Sequence, residues 1–522
     1  MRLFSPPVVE TMTRRQRWLA LVMLSASLLI VMMDMTILIM ALPALSADLA
    51  PSAAEQLWIV DVYSLVLAGF LIPASALADR WGRKRMLLLG FGIFGVVSLL
   101  VLVASAPAHV IALRALLGVG GAMIMPTTLS MIRTIFRDPK ERATALAVWS
   151  VVSALGAIIG PPVGGLLLEF FNWHAAFLIN VPFVLVAVVA GIVLLPEARN
   201  PRPPRWDAVA TILAVAGMAA LVWGIKQFAH SGWGDTPAWI AVAASAVLLT
   251  WFVRRCLSRP DPLLDVRLFK SSAFTGGTIA ALMAMFATAG LMLLLAQWLQ
   301  VVEGLSPFAA GMALLPMAAG SLLFAPFAPA LAARIGARTV LAGGLAVAGL
   351  GLIVLSFAGN PLSYPATIAP LLFVSAGTGS LAIGSAIIMG STPHEKAGSA
   401  AAIEESMYDL GNVLGIAVLG SVATALYRTQ LNVTAFAPNG ITGPLADMAN
   451  ESITGALAVA SDTGLATLAA AATSAFTDAF LQTALIGGIV VLAAAVAVLI
   501  LVPRTLDITT HGADSDVSAS SA

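Results

Sequence analysis

The chain alternates between apolar runs of about 17–25 residues and short polar joints. That run length is what an α-helix needs to cross the hydrocarbon core of a bilayer. Fourteen runs stand out, near 18–42, 57–78, 86–104, 108–132, 143–168, 175–195, 207–225, 237–253, 273–300, 308–332, 338–357, 365–388, 399–424 and 479–502. They are continuous and lack the ten-residue alternation of a membrane barrel. The pattern therefore predicts an all-α integral membrane protein with fourteen transmembrane helices. The first run follows Arg14, Arg15 and Arg17, contains Asp34, and is longer than the apolar core of a signal peptide. It reads as a retained helix.

The polar residues inside these runs are the informative exceptions. The thirteenth run carries Glu404-Glu405-Ser406-Met407-Tyr408-Asp409-Leu410-Gly411-Asn412. A charged side chain at bilayer depth costs on the order of 2.5–3.5 kcal/mol on insertion scales, so this segment is expected to line a polar cavity inside a bundle. Glu405 and Asp409 are four apart and share a helix face, while Glu404 lies about 100° around. Asp34, Asp61 and Arg114 are the other ionisable residues that fall in apolar surroundings. Arg114 and Asp34 sit at comparable depths from the outer ends of helices 4 and 1, and an ion pair between them is expected, because an unpaired charge there is costly.

Charge placement sets the orientation. With the N-terminus inside, 24 of the 27 Lys and Arg fall on the cytoplasmic side. Lys226 and Arg428 are assigned to the opposite side, and Arg114 is the one basic residue placed within a helix. This bias predicts that both termini are cytoplasmic. Composition agrees with the class, at 60% apolar and 10% charged residues. A net charge of +1 gives no indication of nucleic-acid binding, and the single cysteine, Cys256, excludes an intramolecular disulfide.

An internal repeat organises the spans. Ser75-Ala76-Leu77-Ala78-Asp79-Arg80-Trp81-Gly82-Arg83 returns 254 residues later as Pro329-Ala330-Leu331-Ala332-Ala333-Arg334-Ile335-Gly336-Ala337. Parallel repeats of this kind build transporters from two six-helix halves, with the substrate site near the midplane of the membrane. The expected division is an N-terminal bundle over 1–200, two inserted helices over 201–260, and a C-terminal bundle over 261–504 with a long external loop at 425–478. Within that loop, helical pieces are expected after Pro444. A polar tail over 505–522 is expected to be disordered. The linker Pro196–Arg205, with four prolines, marks the end of the first half.

Several of these stretches resemble the major facilitator superfamily. Asp79-Arg80-Trp81-Gly82-Arg83-Lys84 between helices 2 and 3 resembles the family's signature loop, with Ser75 where that pattern begins with Gly. The resemblance implies a charge-relay contact through Asp79 and Arg80 that latches the outward-facing state, with Gly82 and Arg83 shaping the turn. Gly156-Ala157-Ile158-Ile159-Gly160-Pro161-Pro162-Val163-Gly164-Gly165 is similar to the antiporter motif of the family's exporters. The small residues allow close helix packing, and the resemblance implies a bend through Gly160, Pro161, Gly164 and Gly165 that seals the cavity and favours antiport over symport. Arg114 followed by Gly118-Val119-Gly120 resembles the fourth-helix motif, with Leu117 where many members have Gln. Asp34-Met35-Thr36 with Ala41-Leu42-Pro43, Asp61, and Glu405 to Asn412 resemble the fourteen-helix drug:proton antiporter branch, which contains exporters of quaternary ammonium compounds. Helix 10 has Ser321 where some relatives carry an acid, which makes export of dications less expected.

Physical chemistry points the same way. A carboxylate in an apolar cavity is harder to ionise, because desolvation disfavours its charged form, and it can then exchange protons near neutral pH. A lipophilic cation and a proton then compete for one negative site. The expectation is a proton-coupled multidrug exporter in the inner (plasma) membrane of a bacterium, moving lipophilic cations outward in exchange for protons, a function linked to antibiotic resistance. Asp34, Glu405 and Asp409 are the first candidates for coupling, with Asp61 and Glu404 second. The expected partners are the cationic substrates, protons and membrane lipids, with no nucleic acid, and the superfamily default is a monomer. A rival on the same fold exports a physiological metabolite or lipid. No enzyme is expected, since no catalytic constellation appears. His109, His174, His230, His394 and His511 have no metal-ligand spacing. No Gly-x-x-x-x-Gly-Lys-[Ser/Thr] phosphate loop is present, and no cofactor beyond the proton gradient is implied.

Overall fold

The structure, a computed structural model, describes residues 12–504 apart from 137, 198–206, 232–233, 261, 263 and 394–395. Among the described residues all regular structure is helical. Thirteen helices are long and apolar enough to cross a membrane. They are α1 (Arg14–Leu49), α2 (of which Ala53–Leu71 qualifies), α3 (Arg83–Val103), α4 (Pro107–Ile132), α6 (Ala175–Leu194), α7 (Ala208–Phe228), α8 (Thr236–Ser258), α9 (Ser272–Val302), α10 (Pro307–Ile335), α11 (Ala337–Ser356), α12 (Tyr364–Gly390), α13 (Ser399–Gln430) and α14 (Ala466–Leu501). The span α5, Pro139–Phe170, is 32 residues long and brings the number to the fourteen expected from hydropathy.

Local sequence sets where the spans begin and end. Backbone groups at bilayer depth must be satisfied within the protein, and the first turn of a helix leaves N–H donors open. Thr13 with Gln16 and Ser52 with Glu55 close these turns as reciprocal capping boxes at α1 and α2. Asp138 accepts from the Glu141 N–H at the start of α5. At the other end of a span, Lys84 donates its ammonium to the carbonyls of Ile192 (2.7 Å) and Leu195 (2.8 Å), capping α6. The two repeat loops share one backbone solution. Gly82 and Gly336 have φ of +114° and +89°, and their N–H groups bond to Ala78 and Ala332. Both turns need a residue without Cβ at this angle.

The chain forms two compact units. One comprises Met1–Phe252, Ala296–Ala313 and Val433–Ala469; the other comprises Val253–Leu295, Leu314–Asn432 and Ala470–Ala522. In the first, α1 and α5 run together over the glycine-rich stretch. A Cβ at Gly156 would meet the Leu29 carbonyl at 2.7 Å, one at Gly160 would strike Thr36 Oγ1, and one at Gly164 would meet Ile37 Cγ1 at 2.7 Å. Gly165 is likewise closed off by the Pro307 carbonyl, and α5 continues helically through Pro161 and Pro162. Small residues on one face thus let the two backbones approach, the usual packing device between membrane helices.

The segment after α13 is more ordered than a plain loop. It carries short helices Pro444–Glu451 and Ile453–Thr463, whose inner faces bury Ala449, Ile453, Ala456 and Val459. The flanking spans reach to Gln430 and back from Ala466, which shortens the expected 425–478 loop at both ends. The linker residues 198–205 and the tail 505–522 lie outside the described residues.

Candidate functional site

Among the described residues, three clusters of acids lie within the membrane spans away from their ends, two in the first unit and one in the second. Asp34 on α1 and Arg114 on α4 are each 1% exposed and form an ion pair, Arg114 Nη1 to Asp34 Oδ2 at 2.6 Å. The second oxygen of Asp34 accepts from Asn180 Nδ2 on α6 at 2.7 Å, and the same amide donates to Ser98 Oγ on α3 at 3.3 Å. Arg114 also donates through Nε to the Ile59 carbonyl at 3.3 Å, and its guanidinium stands 4.4 Å from the centre of the Tyr63 ring on α2. Four helices meet at this cluster around α1. A delocalised guanidinium suits such a position, since it presents several donors in a planar fork and stacks on aromatic faces.

The second cluster corrects the expectation that Lys226 faces water. Lys226, assigned to the outer side from the charge pattern, lies within α7, 3% exposed. Arg114 is therefore not the one basic residue inside a span. Lys226 Nζ lies 2.8 Å from Asp61 Oδ2 on α2 and 4.2 Å from the centre of the Trp58 ring. Hydropathy extends the seventh run only to about residue 225, whereas the helix continues to Ser231. Burial of Lys226 beside an acid removes the cost that would otherwise drive it to the water.

In the second unit, α13 carries the three acids. Glu404 accepts from Tyr408 Oη at 2.8 Å, one turn along, and from Ser385 Oγ of α12 at 3.1 Å. Asp409 is buried, and its Oδ2 has no hydrogen-bond partner among the described residues. Glu405 is half-buried. The three carboxylates act on one another electrostatically, Glu404 on Glu405 and Glu405 on Asp409. Among the described residues none of them has a basic partner within ion-pair distance. Beyond Asp409 the helix loosens into a π-turn over Gly415–Leu419, a distortion often found beside functional sites.

The signature-loop residues lie at the joint of α2 and α3. The Asp79 side chain falls outside the described residues. Arg80 is exposed, and Arg83 Nη1 donates to Thr134 Oγ1 at 2.6 Å and to the Ser130 carbonyl at 3.2 Å, fixing the start of α3 to the end of α4.

Asn180, Ser98, Trp58, Tyr63, Tyr408, Ser385 and the pairing role of Lys226 were not singled out in the sequence. For Asn180 and Lys226 a signal existed, since each is a lone polar residue in or beside an apolar run. The hydroxyls and aromatics carry no such mark.

Residues 24–416 match the model of the Major Facilitator Superfamily. The chain belongs to this superfamily. It is similar to the multidrug efflux pump LfrA of Mycolicibacterium smegmatis, with 40% identity over 498 residues, covering 95% of this chain and 97% of the relative. It is also similar to the methyl viologen resistance protein SmvA of Salmonella typhimurium, with 38% identity, covering 80% of this chain and 85% of the relative. Among solved structures it shares its fold with an inward-facing bacterial homologue of the human lysosomal transporter Spinster. That match has a TM-score of 0.66 and 17% identity, and covers 94% of this chain and 98% of the other. As a major facilitator protein with this many apolar spans, it is a multi-pass transporter of the inner membrane rather than an enzyme.

Proposed function

We propose that this transporter exports lipophilic cations, quaternary ammonium compounds and cationic dyes among them, in exchange for protons. The observation that carries this reading is the difference between its buried acids. Asp34 and Asp61 each have a resident cation, whereas Glu404, Glu405 and Asp409 on α13 have none among the described residues. Three like charges within about one turn repel one another in a low-dielectric site. A proton or a substrate cation supplies the missing positive charge, and competition between the two is the simplest form of antiport.

Glu405 and Asp409 are the coupling acids in this reading. Glu404, engaged by Tyr408 and Ser385, is held back on the neighbouring face. The names of the relatives support the substrate class. One is a multidrug efflux pump, and another is named for resistance to methyl viologen, a flat quaternary dication, which supports cationic substrates while running against the expectation drawn from Ser321. Aromatic and Met side chains suit such guests through ring-face attraction and adaptable packing.

The test is proton release from proteoliposomes with an acidified lumen when tetraphenylphosphonium is added. Wild type is expected to release protons on addition, and Asp409→Asn to lose at least about tenfold of that response, the scale for removing an interaction of about 1.4 kcal/mol or more. Silence in the wild type across a panel of monovalent lipophilic cations would overturn the substrate and coupling assignment.

A further inference from the structure

Asp61 belongs to none of the α13 chemistry, yet it is the most enclosed acid among the described residues, with its residue 0% exposed. Its partner comes from α7, one of the two helices inserted between the six-helix halves. Trp58 and Asp61 are three apart on α2, so they share a face, and both face the Lys226 ammonium, at 4.2 Å and 2.8 Å. Carboxylate plus aromatic ring is the chemistry that holds a substituted ammonium ion, and here a residue of the chain fills it.

A second observation shows that this is one end of a long seam. Eight residues further along α2, a Cβ at Gly69 would run into Val215 of α7. The order reverses along the two helices, Asp61 with Lys226 and Gly69 with Val215, so α7 lies antiparallel against α2. Among other charged side chains, Arg114 also reaches α2 but is engaged by Asp34, the Ile59 carbonyl and the Tyr63 ring. Glu55 is taken up by the Ser52 cap at the start of the helix. Lys226 is therefore the cation that faces Asp61. The contact is an ion pair, and neither Asp61 oxygen has an aligned hydrogen bond among the described residues.

We propose that Lys226 is a positioning residue for transport: it occupies the Asp61–Trp58 ammonium site permanently, fastens α7 to α2, and keeps Asp61 out of the proton exchange carried by α13. This rests on the antiport reading above. Without Lys226 the enclosed carboxylate has no counter-charge and must take up a proton to stay buried, which adds a proton-exchanging acid to those of α13.

The experiment compares wild type with Lys226→Met, Lys226→Arg, Asp61→Asn and the double variant Asp61→Asn/Lys226→Met, all reconstituted in proteoliposomes. Efflux of tetraphenylphosphonium and the pH profile of cation-driven proton release are measured. Each neutralising single variant is expected to lose about tenfold or more of efflux, because it strands one buried charge. The double variant is expected to return to within about threefold of wild type, the mark of two coupled residues. Lys226→Arg keeps a cation and is expected to stay active, which distinguishes loss of charge from loss of folding. Lys226→Met is expected to show an extra step in the pH profile, absent from both wild type and the double variant.

A double variant as inactive as Asp61→Asn alone would overturn the proposal, because Asp61 would then act by its own charge. An unaltered pH profile in an active Lys226→Met would also overturn it. Wild-type efflux without proton release would instead sink the antiport reading, while the efflux of the single and double variants would still decide the pairing.

Discussion

At the scale of residues, one question separates the buried acids of this transporter: whether a neighbouring helix supplies a cation. Asp34 draws on Arg114 and on the Asn180 amide, so both of its oxygens are satisfied. Truncating one member of a buried pair leaves the other uncompensated, at a cost of about 3–5 kcal/mol. Arg114→Leu is therefore expected to lower the thermal midpoint of the purified protein markedly, and Asp34→Asn/Arg114→Leu to recover much of that loss. Arg114→Lys is not equivalent, because an ammonium cannot reach Asp34, the Ile59 carbonyl and the Tyr63 face together. Thermal unfolding in detergent, followed by intrinsic fluorescence, checks this series. A midpoint unchanged by Arg114→Leu would show that the pair contributes nothing to stability.

At the scale of elements, the joint before α9 illustrates how polar connections hold spans in place. Asp265 caps the short turn Val266–Lys270 by accepting from the Arg267 N–H at 3.2 Å, and it pairs with Lys396, just before α13, at 2.6 Å. Burial works against its charge, but the Lys396 ammonium and the Arg267 N–H outweigh it and hold the Asp265 carboxyl below its usual range. A carboxylate with a lowered pKa in the folded protein contributes stability above its unfolded value and loses it as pH falls through the folded value. This contact is thus fully present at neutral pH and begins to be lost below about pH 4. Lys396→Met is expected to destabilise by on the order of 1 kcal/mol at pH 7, because the Lys396 side chain is 41% exposed and screened by water, and by progressively less as the pH falls below about 4. A midpoint difference that does not shrink as the pH is lowered would refute the ionic origin.

At the scale of the whole molecule, fourteen spans and a strongly asymmetric distribution of basic residues define its orientation. The one native cysteine, Cys256, is buried, so engineered cysteines can report on sidedness. A cysteine at the exposed Asn439, in the segment between α13 and α14, is expected to react with a membrane-impermeant maleimide added to intact cells. One at the exposed Arg80 is expected to react only after the membrane is opened. Labelling of the position-80 cysteine from outside would overturn the assigned topology.

Much of this protein was legible in its sequence, for a physical reason. Crossing hydrocarbon demands about twenty apolar residues with every backbone group bonded internally, so hydropathy alone specifies the number and kind of spans. The high cost of a charge at that depth makes Asp34, Asp61, Arg114 and the α13 acids conspicuous. The repeat of the cytoplasmic turn was equally visible, and Gly82 and Gly336 adopt the same positive-φ backbone conformation. Which acid has a counter-ion was not visible. Lys226 lies 165 positions from Asp61 in the chain, and the charge pattern alone assigns it to the water. Its pairing depends on the rotation and depth at which α7 packs against α2, as the satisfaction of Asp34 depends on α3, α4 and α6 arriving at one level. A charge inside a membrane is set by its nearest neighbours across helices, and only tertiary packing decides who those neighbours are.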